Sequence, residues 1–330
     1  MADSIGLHTT IKNEDYFTLV RQLTTSLNKE ADKVRAIFRW ITNNIAYDYK
    51  AFNKGKTDPF FVCLNNNNCN AQQEIYNTEL IHRILKRKKA VCNGYSLLFK
   101  ALCSIAGIKS DIVTGYAKTE FYQIGNKWDA DHAWNIVQID SNWYCLDITW
   151  ASGMGIINNE TDEMDGWKKQ FIPFFYCTPY EKFVRNHFPE HPEQLKFIDS
   201  KTTTDDFFKF PFFYSLAALK DIDSLNPTTG ILNVKVGDTI AFSFKNSLFE
   251  HFQINSNIQR NPSVFKEIGK GKKRIYAIDR EMLAKQVYYP YKKKGDTIFA
   301  IYPVTSKSLY YIELLFDYEQ AVRYKVNVSP

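Results

Sequence analysis

The stretch LKRKKAVCNGYSLLFKALCSIAGIKS, Leu85–Ser110, decides how the rest of this chain is read. Tyr95, Leu98, Phe99, Leu102, Ile105 and Ala106 recur at three- and four-residue steps, which predicts a helix with one apolar face. Gly107 supplies its stop, because glycine enters the left-handed region without strain. The Asn93-Gly94 pair is expected to let the chain bend tightly at the entrance. Cys92 therefore stands at the helix N-terminus, beside unpaired backbone N–H groups and the positive end of the dipole. Both favour thiolate over thiol, so a cysteine so placed can be a nucleophile near neutral pH. The competing reading is a buried structural cysteine, among the commonest fates of this residue.

Working outward, NKEADKVRAIFRWITNNI places Val34, Ile37, Phe38, Ile41 and Ile45 on one stripe with charges opposite, a second helix. A polar loop is expected from Lys50 to about Ala71, followed by a short helix in NTELIHRILKRKK. After Gly107 the period falls from 3.6 to 2. KSDIVTGYAK, DHAWNIVQID and NWYCLDITW all read as strands rich in β-branched and aromatic residues. Helices followed by a small antiparallel sheet give an α+β fold. Beyond it, ASGMGIINNETDEMDGWKKQF reads as a loop that does not match the calcium-loop template. His187 and His191 read as surface histidines, since Pro189 between them spoils a helical metal pair.

A cysteine nucleophile needs a base, and the base needs an orienting partner. His132, at the head of DHAWNIVQID, is the candidate base, and Asp147, in WYCLDITW, the candidate orienter. Direct opposition across a hairpin would require a loop of Gln138 to Ser141 or longer, hence a wide loop or a bulge. A lone histidine at a strand start is usually a surface or satisfied residue. An aspartate between Leu146 and Ile148 is harder to dismiss, because a carboxylate in a buried run is costly without a partner. An imidazolium from His132 would be that partner.

SKTTTDD marks a boundary near residue 200, dividing the chain into domains at 1–200 and 201–330. DFFKFPFFYSLAALK reads as an apolar connector, and ILNVKV, TIAFSFK, FQIN, KRIYAID, DTIFAIYPV, YYIELLFDY and VRYKVNV as strands of an all-β, sandwich-like domain. No catalytic constellation is visible there, so packing or recognition is its expected role.

The 330 residues fit two domains on a prior of roughly 150 residues each. A net charge of +6 is modest, and no basic helix carries interleaved aromatics, so nucleic-acid binding is not expected. No apolar run approaches the ~18 residues a membrane span needs. The start, MADSIGLHTT, lacks the charged and apolar regions of a signal peptide, but a trimmed signal would leave the same start. The compartment stays open: secreted or periplasmic if a signal was removed, otherwise cytoplasmic. Six cysteines make no C-x-x-C pair and no zinc-spaced Cys/His cluster. Cys63 and Cys69 flank CLNNNNC and could form a surface disulfide in an oxidising compartment, whereas Cys103 and Cys145 read as core.

RKKAVCNGYSLLFKALCSIAGI, VTGYAK and DHAWNIVQIDSNWYCLDITW, in that order, resemble the core motif of the transglutaminase-like (papain-like) superfamily. The resemblance is nearest to bacterial transglutaminase-core proteins and the kyphoscoliosis-peptidase type. It covers residues 30 to 155 strongly and reaches more weakly to about 200. It implies a papain/transglutaminase-like core of helices on a small sheet, with Cys92 as nucleophile, His132 as base and Asp147 as its orienter. The implied chemistry is thiol-dependent acyl transfer on peptide or protein amides through a thioester, ending on water or on an amine. The triad does not choose between these. The backbone N–H of Cys92 can serve as one oxyanion donor, and Gln72, Gln73, Trp40 and Tyr47 are all candidates for a side-chain donor. No counterpart of the calcium sites of animal transglutaminases is found, so neither metal nor cofactor is expected. The alternative function is a catalytically idle scaffold that binds protein or peptide partners. Trp134, Trp143 and Trp150 would line a cleft in the first case and fill the core in the second. Oligomeric state is not legible.

Overall fold

A computed structural model describes residues 1–11, 14–55, 61–63, 68–158, 161, 163–195, 201–214, 222–245, 249–268 and 275–329. Part of the expected polar loop (56–60 and 64–67), part of the acidic loop (159–160 and 162), the first residue of the expected boundary stretch with the four before it (196–200) and the connector's end (215–220) lie outside them. The chain divides into two compact units. The first comprises Met1–Ala117, Ala130–Phe183 and the described part of Pro189–Ser200; the second comprises Lys118–Asp129, Val184–Phe188 and the described part of Lys201–Pro330.

The first unit opens with α1 (Ala2–His8), α2 (Tyr16–Thr24) and α3 (Glu30–Asn44). The stripe read from the sequence is buried on α3, and so are Ala36, Arg39, Trp40 and Thr42 on its other sides. The helix is thus a central one rather than a half-solvated one. Its large polar side chains find contacts in place: the Trp40 indole N–H donates to Thr9 O at 3.0 Å, and the Arg39 guanidinium lies 3.5 Å from the centre of the Phe171 ring and donates through Nη1 to Thr42 Oγ1 at 3.3 Å. Each large apolar side chain so buried stabilises the fold by about 1.5–3 kcal/mol.

A two-residue parallel pair follows, β1 (Ala46–Tyr47) on β2 (Lys89–Ala90), with Tyr47 opposite Ala90. Between them run α4 (Tyr49–Asn53) and α5 (Cys69–Arg87). The latter is 19 residues long, not short, because helix begins within the stretch read as loop. Cys63 and Cys69 are joined in a disulfide at its start. Lys86 and Arg87 close its last turn, where cations meet the negative end of the dipole, and Lys88 ends it in the left-handed region at φ 54°. Arg87 then pairs with Asp48 at 2.7 Å. The basic run before Cys92 therefore finishes one helix and ties down a strand.

α6 runs from Cys92 to Ile105. Tyr95, Leu98, Phe99 and Leu102 are fully buried, and the Tyr95 hydroxyl donates to Ile45 O at 2.8 Å. Gly107 takes φ 74°, as its role as stop requires. Asn93 and Gly94 lie inside the helix and are buried, so the bend expected at the entrance does not occur. Gly94 is glycine for closeness instead: a Cβ there would meet Ala90 Cβ and Ile84 Cδ1 at 3.0 Å.

The antiparallel sheet has β4 (His132–Ile139) between β3 (Ser110–Ala117) and β5 (Asn142–Leu146). A short helix, α7 (Ile148–Ser152), follows. The expected loop after it is largely a hairpin, β6 (Gly153–Ile157) with β7 (Met164–Lys169). Cys103 and Cys145 are core, as read. The fold is α+β, with helices packed on a small antiparallel sheet. No described helix is long and apolar enough to cross a membrane.

The second unit is mainly β and sandwich-like. One sheet orders the strands Asp223–Asn226, Thr239–Lys245, Thr297–Pro303 and Lys292–Lys294; the other orders Ile231–Lys235, Glu319–Ser329, Tyr311–Phe316 and Phe252–Ser256. Their inner faces meet through aromatic rings, Phe242 on Tyr324 at 5.3 Å and Phe244 on Phe316 at 5.2 Å.

Candidate active site

Cys92 is the first residue of α6, whose N-cap residue Val91 supplies no side-chain cap. The first N–H groups of a helix have no acceptor within it, so the Cys92 N–H is left to point outward. His132 begins β4, opposite Gly115 on β3. Asp147 follows the last residue of β5 and is the N-cap of α7, where its Oδ1 accepts from Trp150 N–H at 3.0 Å.

The hairpin that carries these two residues differs from expectation. Ile139 pairs with Asn142 and Asn135 with Leu146, so the connection is the tight two-residue turn Asp140-Ser141, at φ 47° and 69°. Aspartate tolerates the left-handed region, and such a turn matches the twist of the strands. No wide loop or bulge is needed, because Asp147 does not oppose His132 across the ladder. It has left the sheet, and the turn into α7 brings its carboxylate to the ring. Its backbone N–H is held by Phe175 O at 2.9 Å.

The outcome is close. His132 Nε2 and Asp147 Oδ2 are 2.8 Å apart, with side chains 8% and 0% exposed. The Cys92 side chain is near enough to act on the imidazole and raise it. Burial alone would push the imidazole down. The Asp147 carboxylate, its hydrogen bond and the contact with Cys92 outweigh that and raise it to about 10, so it holds its proton at neutral pH. The ring is fixed by aromatic neighbours: Trp134 at 6.2 Å and Trp150 at 5.5 Å between centroids, Trp150 itself edge-on to Phe175. A cysteine, an imidazolium and a carboxylate in this order have the parts of a nucleophile, a proton carrier and its orienter.

Of the three tryptophans, Trp134 is core, whereas Trp143 and Trp150 are half-buried. Of the four candidate oxyanion donors, Trp40 is engaged with Thr9, and Gln72 and Gln73 lie at the start of α5, half-buried and exposed. Tyr47 is buried on β1. His191 is a surface residue facing Glu193 at 3.6 Å, but His187 is fully buried, its Nδ1 2.8 Å from Asn186 Oδ1. The proline that rules out a helix there is compatible with a short buried strand. Asp147 as a helix cap was the feature not foreseen. Its signal is the run Asp147-Ile148-Thr149-Trp150, an N-cap residue with a receiving N–H three positions on.

Residues 14–153 match the family model of a transglutaminase-like domain. Kyphoscoliosis peptidase of Mus musculus is 30% identical over 175 residues, covering 52% of this chain and 23% of that protein. Hillarin of Drosophila melanogaster is 25% identical over 225 residues, covering 65% and 25%. The chain thus spans about a quarter of the length of these relatives. A crystal structure of a TGase is 20% identical with a TM-score of 0.28, covering 44% of this chain and 35% of that one. The similarity to a transglutaminase-like domain thus lies in residues 14–153, the part of the chain that carries Cys92, His132 and Asp147.

Proposed function

We propose that the protein is a cysteine acyl-transfer enzyme acting on peptide or protein amides, with Cys92 as nucleophile, His132 as acid–base and Asp147 as its orienter. The observation that carries this reading is the imidazole of His132 held by Asp147 at 2.8 Å, with Cys92 close enough to raise it as well. Thiolate sulfur attacks the amide carbonyl carbon, and the π pair moves to oxygen. The pair returns as the C–N bond breaks, and the imidazolium gives its proton to the departing amine. The resulting thioester passes to water or to a second amine, whose proton returns to the imidazole. Water makes the enzyme a peptidase or amidase; an amine makes it a transglutaminase. The name of the kyphoscoliosis peptidase relative favours a peptidase.

The test is the intact mass of the protein after brief exposure to an activated ester and quenching in acid. The reading expects one acyl group on Cys92, absent from Cys92→Ala and discharged faster on adding water-competing amines if transfer is the true course. No acyl-Cys92 in the native protein would leave the idle, partner-binding scaffold as the better account.

A further inference from the structure

Resting on that reading, we infer that Tyr47 is a catalytic residue: its hydroxyl is the side-chain donor that, with the Cys92 backbone N–H, receives the oxyanion formed on the substrate carbonyl.

The placement is built from backbone. Tyr47 pairs with Ala90 in the β1–β2 ladder, and the bonds Ala46 N–H to Lys88 O and Asp48 N–H to Ala90 O, both 2.9 Å, lock it on either side. Ala90 is two residues before Cys92, so this short ladder fixes Tyr47 to the entrance of α6. The ring is clamped: it is 7% exposed and stacks on Trp167 at 4.9 Å and 26°. Yet the hydroxyl makes no hydrogen bond among the described residues. The ring is buried, but the hydroxyl oxygen itself keeps some access to solvent, so it is open to an incoming group. An unfilled donor beside the nucleophile is what a site awaiting a developing negative charge requires.

The electrostatics agree. Burial first, then the fields of Cys92, Tyr95 and Asp147, push the Tyr47 phenol far above its usual value, so it keeps its proton through the physiological range. It is therefore a donor and never a competing base. The other candidates fail on position or occupancy. Trp40 spends its N–H on Thr9 at 3.0 Å. Gln72 and Gln73 precede Ile84, the α5 residue nearest Gly94, by 12 and 11 positions. At the rise of a helix that is about 16–18 Å along the axis. When the Cys92 Sγ–C bond forms, the carbonyl π pair goes to oxygen, and Tyr47 O–H and Cys92 N–H both donate to it. Both bonds relax as the leaving group departs and the carbonyl returns.

The test compares two reactions of Cys92 in the full chain and in Tyr47→Phe. Acylation by 4-nitrophenyl acetate passes through an oxyanion; alkylation by iodoacetamide does not. The inference expects acylation to fall about 10²-fold or more, with alkylation and the melting temperature unchanged. The ring and its stack on Trp167 remain in the variant, and no hydroxyl bond is lost. If neither reaction changes, Tyr47 is not the donor, while the Cys92–His132 reading stands. If both fall together, Tyr47 acts on the thiolate and the oxyanion role is overturned. If wild-type Cys92 reacts with neither reagent faster than in the unfolded chain, the acyl-transfer reading fails, and this inference with it.

Discussion

Asp147 reaches His132 from a helix cap, its Oδ2 2.8 Å from Nε2 while its Oδ1 accepts the Trp150 N–H at 3.0 Å. One fully buried carboxylate thus both starts α7 and orients the imidazole. The two tasks use different oxygens, so they can be separated by substitution.

Asp147→Asn keeps a cap acceptor but removes the negative charge. The alkylation rate of Cys92 at neutral pH is expected to fall by tenfold or more, whereas the melting temperature drops less than in Asp147→Ala, which loses the cap as well. Loss of an N-cap side chain costs about 1 kcal/mol. Equal rates in wild type and Asp147→Asn would dissociate the carboxylate from the thiol.

His132 also predicts a pH dependence of stability. Its imidazole is raised to about 10 in the fold, against about 6.5 unfolded. The folded state binds the extra proton, so its contribution is fully present below pH 6.5 and is lost as pH rises toward 10. Urea midpoints measured across that window should decline more steeply in wild type than in His132→Gln. Parallel curves would contradict the held imidazolium.

Much of this site can be read in the sequence, and the parts that cannot have a physical reason. Cys92 was legible because a 3.6 period follows it, and the helix stop at Gly107 because glycine enters the left-handed region without strain. The pairing of His132 with Asp147 was legible as a charge problem, a carboxylate in an apolar run. Its geometry was not. Period-2 patterning continues past Leu146, and only the cap bond to Trp150 shows that the strand has ended. Gly94 misled for a similar reason: a glycine needed for contact with Ile84 and Ala90 looks the same in sequence as one needed for a bend. Likewise nothing local marks His187 as buried. The sandwich strands were visible from alternation, but edge pieces such as Lys292–Lys294 carry no apolar pattern at all.

Gly94→Ala should therefore act through packing. The new Cβ would press on Ala90 Cβ and Ile84 Cδ1 at 3.0 Å, where the neighbours must give. Overpacking of this kind costs about 1–3 kcal/mol. Calorimetry should show the loss, and Cys92 alkylation should slow as the start of α6 shifts. An unaltered melting temperature would show that β2 and α5 yield freely.

In the second unit, buried Lys118 donates through Nζ to Phe207 O at 2.7 Å and to Phe210 O at 2.9 Å, the carbonyls at the end of a helix. Burial brings it down to about 7. Lys118→Met strips those carbonyls of a donor and should cost about 1–3 kcal/mol near pH 9. The cost should be smaller near pH 6, because the wild-type fold then carries a buried charge that the variant lacks. Chemical denaturation at both pH values reads the difference; a cost that grows on acidification would contradict it.

Cys63 and Cys69 are bonded, and Cys92, Cys103, Cys145 and Cys177 are free. Alkylation of the protein purified without reductant and then denatured should add four groups, rising to six after reduction. Six before reduction would remove the disulfide.

The most direct test of the central claim is the rate at which iodoacetamide labels Cys92, followed by mass spectrometry across pH in wild type and His132→Ala. A thiolate held by the imidazolium predicts labelling of native Cys92 that is faster than in the unfolded chain and that collapses in the variant. Labelling of native Cys92 no faster than in the unfolded chain, or equal in the two proteins, would contradict the account.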